Sequence, residues 1–290
     1  MAAPADEPMA DPMGRAGAQL AEPTEAAADY LMTIRYMQAE GPPVIAARLA
    51  ERLRVSPATV SEMVTRLVRD GLLRVEGQSR QLELTPAGAR SAERTFRRHA
   101  LAEWLLTAVI GLGWAQADEE AHQLQHAMSD RVTDKIDELL GTPPTCPHGN
   151  PIPRDGRTVK RPAGEALSAA RPGEVITILR VTEQAEEDAR LLTFLEQNDV
   201  RPGSVFTVTD VADHIGTMTL ERNHRPVTLG LVAAAKLRML RGRADERLFH
   251  RVPDRSGRAG NRAANATADA AAGGAMSDPA GGTAADAGSC

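Results

Sequence analysis

The stretch VSPATVSEMVTRLVRDGLLRVEGQSRQLEL, residues 55–84, changes its period halfway along. Up to Asp70 its apolar residues recur at helical spacing. After Gly71 they alternate around a polar turn, as in a two-stranded hairpin. Ser56 suits an N-cap, and Pro57 stands at the first helical position, where its missing N–H costs nothing. A shorter amphipathic stretch, VIAARLAERLRV, precedes it. Two short helices followed by a hairpin are the pattern of a winged helix-turn-helix.

The flanks extend this unit. Thr24 is expected to cap a helix carrying Ala27, Tyr30, Leu31, Ile34 and Met37 at helical spacing, stopped by Gly41-Pro42-Pro43. Pro86 is expected to open a long helix through Val109, and GLG breaks it. A further helix is expected over about 115–140. Residues 174–240 read differently. EVITILRV, GSVFTVTDV, GTMTLERN and PVTLGL are short β-branched runs, interrupted by one helical stretch, EDARLLTFLEQND. They predict a small all-β barrel. The fold class is therefore a mainly α N-terminal part, with a winged helix-turn-helix and further helices, and a small all-β domain behind it.

The expected domains are 23–92 for the winged helix-turn-helix, 93–141 for the helices behind it, and 172–241 for the β-domain. The Pro- and Gly-rich segment 142–171 is a linker. Residues 1–22 and 253–290 are rich in Ala, Gly, Pro and Asp and are expected to stay disordered. Only Cys146 and Cys290 are available, too few for a disulfide framework, so a reducing cytoplasm is expected. No apolar run is long enough to span a bilayer, and the N-terminus has no secretory pattern.

The net charge of −5 gives no whole-chain sign of nucleic-acid binding. Between 43 and 90, however, eight arginines face five acids. That local excess supports contact with double-stranded DNA. The second short helix would enter the major groove, with Ser56, Ala58, Thr59, Ser61 and Glu62 towards base edges. Arg66 and Arg69 further along, and Arg74 and Arg80 on or near the wing, would reach phosphates. A structural or protein-binding module with a solvated arginine face is the bland alternative.

AHQLQHAMSD, residues 121–130, places His122 and His126 four apart, on one face of a helix. Gln125 lies on the same side, and Asp118 extends the polar stripe. The preceding helix repeats the spacing with His99 and Glu103. Imidazole with carboxylate and amide oxygen suits a divalent transition metal. Ordinary core or surface polarity is the competing reading. Cys146 and His148 form a C-x-H in the linker. Two ligands are too few for a zinc site, so the pair reads as part of a structural loop.

ADYLMTIRYMQAEG, IAARLAERLRVSPATVSEMVTRLVRDGLL, LELTPAG, RRHALAEWLL, DEEAHQLQHAMSD and CPHGNPIP, taken in this order, resemble the diphtheria-toxin-repressor family of metal-dependent transcriptional regulators. DVRPGS and its strands are similar to the SH3-like, FeoA-type domain that many members carry. The resemblance covers about 24–240. It implies a homodimeric repressor of metal-homeostasis genes, with no enzymatic activity, no membrane partner, and Mn(II) or Fe(II) as cofactor. It implies a primary site of Asp29, His122, Gln125 and His126. Iron-sensing members carry Met and Cys where this chain has Asp29 and His122, manganese-sensing members carry Asp and Glu, and both carry Glu where it has Gln125. Met32 replaces a second-metal carboxylate of the manganese branch. It also implies an ancillary site of His99, Glu103 and Asp118, with an acid from the β-domain. Glu186, Glu187 and Asp188 are candidates, and Glu187 is taken.

The resemblance further implies a clamp. A cation joining Asp29, before the DNA-binding unit, to the histidines after it would fix two recognition helices to half-sites about 34 Å apart. A 100-fold preference for the competent arrangement is worth about 2.7 kcal/mol. Imidazole ligands must be neutral, so activation is expected to weaken below about pH 6.5. Leu101, Leu105, Val109, Ile110, Leu124, Val132, Ile136 and Leu139 are the apolar candidates for the dimer surface; core packing inside one subunit explains them equally well, and only the resemblance favours the dimer. A metal-independent winged-helix regulator sensing a small organic ligand is the alternative function. A zinc hydrolase is disfavoured, because Gln123 follows His122 where H-E-x-x-H chemistry needs Glu.

Overall fold

The computed structural model describes residues 23–41, 43–154 and 164–253. The tail 1–22, all but the first residue of the tail expected at 253–290 (with Cys290), Pro42 and linker residues 155–163 lie outside the described residues.

The first layer is helical. Helix α1 (Glu25–Glu40) buries Ala27, Leu31 and Ile34. Thr24 stands at its N-cap, but its side chain makes no capping bond. Helix α2 (Ala46–Leu53) and helix α3 (Pro57–Arg69) follow. Arg54 between them takes a left-handed conformation, φ 54°, which turns the chain. The α3 N-cap is as expected: the Thr59 N–H donates to Ser56 Oγ at 3.1 Å. Strands β1 (Leu73–Glu76) and β2 (Gln81–Leu84) pair antiparallel, with Leu73 opposite Leu84. One core joins α1, α2, α3 and this wing through Leu31, Leu49, Val60, Leu67 and Leu82.

Helix α4 (Pro86–Trp104) starts on a Thr85 cap. Gly88 lets it lie against the wing: a Cβ there would stand 1.9 Å from the Leu72 carbonyl oxygen. The helix does not run unchanged to Val109. At Leu105–Ile110 it widens to a π-turn, and Gly111, φ 89°, ends it. The helix expected over 115–140 is two, α5 (Trp114–Ala127) and α6 (Asp130–Leu139). Met128 is extended between them and Ser129 caps the second, a local choice that helical periodicity does not register. Arginines of α4 grip α6: Arg97 reaches Asp134 and Asp137 at 2.9 and 3.0 Å, and Arg98 reaches Asp130 at 2.9 Å.

The second layer is β3 (Glu165–Ala166), β4 (Val175–Val181), the short α7 (Glu183–Glu186), α8 (Ala189–Gln197), β5 (Val205–Ala212), β6 (Thr217–Arg222), β7 (Arg225–Gly230), the short α9 (Leu231–Ala234) and β8 (Leu237–Arg241). The sheet order is β3-β8-β4-β5-β6-β7, all antiparallel. The all-β expectation holds, but the described sheet is open, with β3 and β7 as edges rather than closed as a barrel. The sequence reading missed β3 and β8, which are short. The sheet core includes Trp114 of α5, and the Trp114 N–H donates to Glu196 of α8 at 3.0 Å. Among the described residues no helix is long and apolar enough to cross a membrane.

Candidate metal centres

Asp29 stands on the first turns of α1, and His122, Gln125 and His126 line one face of α5. The two helices bring all four together. Gln125 is fully buried, and its Nε2 lies 3.1 Å from Asp29 Oδ1, 3.2 Å from His122 Nδ1 and 3.1 Å from His126 Nε2. An amide nitrogen has two hydrogens, so it can donate to at most two of these three atoms. Asp29 Oδ1 also lies 2.9 Å from His126 Nε2, and Asp29 Oδ2 is 3.7 Å from His122 Nε2. Gln125 Oε1 is buried with no partner. Three atoms able to ligate a cation thus crowd one point, and an orphaned oxygen is beside them. This donor set fits a divalent cation. Burial outweighs the two imidazoles and raises the Asp29 carboxyl above its ordinary value. Met32 is buried.

A second cluster lies deeper, where α4, α5, the CPHGNPIP loop and α7 meet. His99 Nε2 is 3.6 Å from Glu103 Oε1 and 3.3 Å from Asp118 Oδ1. From the other side, His148 Nδ1 lies 3.1 Å from Glu103 Oε1 and 3.3 Å from Glu186 Oε1. Cys146 forms a metal-competent triad with Glu103 and His148. Glu103 is 1 % exposed, and neither of its oxygens has a hydrogen-bond partner. Burial opposes the charge on His99, but Glu103 and Asp118 outweigh it and hold the ring at about 10. Burial likewise opposes ionised Glu103, yet His148 and His99 bring it down to about 2. Burial lifts Glu186 to about 7, and burial with the Glu186 and Glu103 carboxylates lifts the Cys146 thiol to about 12.

Two readings change here. Glu187 does not face this cluster: it pairs with Arg52 of α2 at 2.8 Å, and its neighbour Glu186 is the β-domain acid that points inward. Cys146 and His148, read as part of a structural loop, are buried against Glu103. The C-x-H spacing was the available signal, but its partners lie 43 residues back and 38 on in the chain. The sequence reading also missed Asn150 and Arg180. Asn150 Nδ2 donates to Glu186 at 2.6 Å, and Arg180 donates to Asn150 Oδ1 at 2.9 Å. Directly after Glu103, Thr107 of the π-turn donates to the Glu103 carbonyl at 2.7 Å. Such turns recur at functional sites.

The DNA-facing candidates form one exposed surface. Ala58, Thr59, Ser61, Glu62 and Arg66 are exposed on α3, and Arg80 is exposed at the wing tip with φ 53°. Ser56 is exposed too, but its hydroxyl is engaged in the cap. Arg69 lies 3.0 Å from Asp70, and Arg74 lies 2.9 Å from Glu76 and 3.1 Å from Glu83, so neither is a bare charge. The dimer candidates divide. Leu101 and Ile136 are spent inside the subunit, and Leu105, Leu124 and Leu139 are half-buried. Val109, Ile110 and Val132 remain 52, 59 and 47 % exposed.

Residues 22–80 match the family model described as the iron dependent repressor N-terminal DNA binding domain, and residues 85–154 match that of the iron dependent repressor metal binding and dimerisation domain. The chain is 38 % identical over 213 residues to the iron-dependent repressor IdeR of Mycobacterium leprae, covering 69 % of this chain and 90 % of that one. It is 35 % identical over 207 residues to the diphtheria toxin repressor of Corynebacterium diphtheriae, with the same coverage. A solved manganese-dependent transcriptional repressor in complex with manganese is 32 % identical, with a TM-score of 0.66, covering 74 % of this chain and 99 % of that one.

Proposed function

Because the chain belongs to the iron-dependent, or diphtheria-toxin, repressor family, we propose that Asp29, His122, Gln125 and His126 hold the ion that switches it on. It is a homodimeric, metal-dependent DNA-binding repressor with Fe(II) or Mn(II) as cofactor. The convergence of Asp29 Oδ1, His122 Nδ1 and His126 Nε2 on the Gln125 amide, beside its unpartnered Oε1, carries the site assignment.

A divalent cation supplies, when bound, a positive centre that these donors share. Asp29 belongs to α1, which packs into the DNA-reading core, and the other three belong to α5. Gln125 turns its orphaned Oε1 inward in place of its N–H groups. The four side chains then tie the winged unit to the helices behind it and hold each α3 at a fixed distance from its partner's. Ala58, Thr59, Ser61 and Glu62 meet base edges, and Ser56, Arg66 and Arg80 complete the contact surface. Val109, Ile110 and Val132 form the subunit contact. The working parts are 23–92 for DNA binding, 93–141 for metal and dimerisation, a linker at 142–171, and the β-domain at 172–241. We assign no catalytic activity and place the protein in the cytoplasm, with its operator.

The test is operator binding by the full chain titrated with Mn(II), Fe(II), Zn(II) and Co(II), repeated with His126→Ala and Asp29→Ala. Binding should need metal and fall at least tenfold in either variant at limiting metal. Undiminished binding in excess chelator would refute the assignment.

A further inference from the structure

We propose that the buried second cluster is a dinuclear metal site, in which the Glu103 carboxylate bridges one divalent cation held by His99 and Asp118 to another held by Cys146, His148 and Glu186. This goes beyond a single ancillary ion and rests on the reading of the chain as metal-activated. The donors fall into two triads, His99–Glu103–Asp118 and Glu103–Cys146–His148, and within each the ligand atoms lie within 4.8 Å of one another. The triads share Glu103 alone and do not merge into one such group among the described residues. Glu186 Oε1 reaches the second triad, 3.3 Å from His148 Nδ1. The two sets therefore read as two neighbouring positions with one carboxylate in common.

The bare carboxylate argues the same way. Glu103 has two buried oxygens: Oε1 lies between the two imidazoles, 3.6 Å from His99 Nε2 and 3.1 Å from His148 Nδ1, and Oε2 has no hydrogen-bond partner. Two ions, shared through this carboxylate, would satisfy both oxygens and take up the imidazole nitrogens that crowd Oε1. Charge closes too: Glu103, Asp118, Glu186 and a Cys146 thiolate carry four negative charges, which two dications neutralise. One dication would leave two of these negative charges unneutralised, with Glu103, Glu186 and Cys146 all buried, a state proteins avoid. Metal entry releases the Cys146 thiol proton and any imidazolium protons to solvent. Paired-metal sites hold their ions about 3.5–4 Å apart, a span one carboxylate bridges. The halves differ in character. Cys146 makes one soft, and Asp118 with its oxygens makes the other hard. Arg180 and Asn150 hold Glu186 in place from behind.

The experiment counts Co(II) bound per full-length chain by equilibrium dialysis and records the thiolate-to-cobalt charge-transfer absorption. The wild type should bind three ions, one at the Asp29 site and two here. Cys146→Ser should lose the absorption band and one ion. Asp118→Asn should lose one ion and keep the band. Two ions per wild-type chain would overturn the proposal without reference to whether any variant folds. So would a band that Asp118→Asn abolishes along with Cys146→Ser. His126→Ala counts the Asp29 site separately: failure to lose an ion there would sink that assignment and leave the count for this cluster intact.

Discussion

Replacing Gln125 by Glu restores the carboxylate that both branches of the family carry, and the structure sets what it should do. The new oxygen would stand about 3.1 Å from Asp29 Oδ1, where the amide nitrogen now donates. Two unit charges at that separation repel by about 5 kcal/mol at an effective dielectric constant of 20. The metal-free protein has a cheaper escape. Protonating a carboxyl of ordinary pKa near 4.3 at pH 7 costs about 3.7 kcal/mol. The smaller cost wins, so with chelator present Gln125→Glu should unfold about 3–4 kcal/mol more easily than the parent at pH 7. The sign with pH follows. A carboxyl whose pKa is raised in the folded state keeps a proton that the unfolded chain releases, so the penalty grows as pH rises above about 4.3 and vanishes below it. Saturating Mn(II) should shrink or reverse the penalty, because the added charge then faces a cation. Urea unfolding followed by the fluorescence of Trp104 and Trp114, between pH 4.5 and 7, with chelator and with Mn(II), measures all of this. A penalty independent of pH, or equal in both conditions, would show that the four side chains do not converge as described.

Three further outcomes are expected. Asp137 is buried, and although burial opposes its charge, Arg154 and Arg97 hold its carboxyl below the ordinary value. Asp137→Asn should therefore cost about 3 kcal/mol at neutral pH; the parent's advantage should persist above about pH 4 and fade as acid protonates the carboxylate, which urea titrations at pH 7 and 3 would reveal. Gly88→Ala should destabilise by about 3 kcal/mol, since its Cβ would meet the Leu72 carbonyl at 1.9 Å; a variant melting like the parent would mean α4 does not touch the wing there. Arg80→Ala should weaken binding to all DNA sequences alike and lower the slope of log affinity against log salt by about 1; a change confined to one operator position would make Arg80 a base reader instead.

The sequence disclosed what local chemistry controls. Ser56-Pro57 and Gly71 bracket α3 because capping and turn preferences act within a few residues. His122, Gln125 and His126 share a face because helical spacing requires it, whereas no local pattern ties Asp29 of the first helix to them. What stayed hidden depends on long-range placement. Glu187 and Glu186 are adjacent and chemically alike, and only the packing of α7 decides that one meets Arg52 and the other His148. Cys146 and His148 looked two ligands short because their partners come from α4 and α7. The break at Met128 and the π-turn at Leu105–Ile110 leave apolar periodicity nearly unchanged, so period counting passes over both.

Helix α4 begins under the wing at Gly88 and ends beside the buried carboxylate of Glu103. Its 19 residues make a rod about 28 Å long. A tilt of about two degrees at one end displaces the other by about 1 Å. A rearrangement around Glu103 that tilted the helix would therefore shift its other end, packed beside the wing.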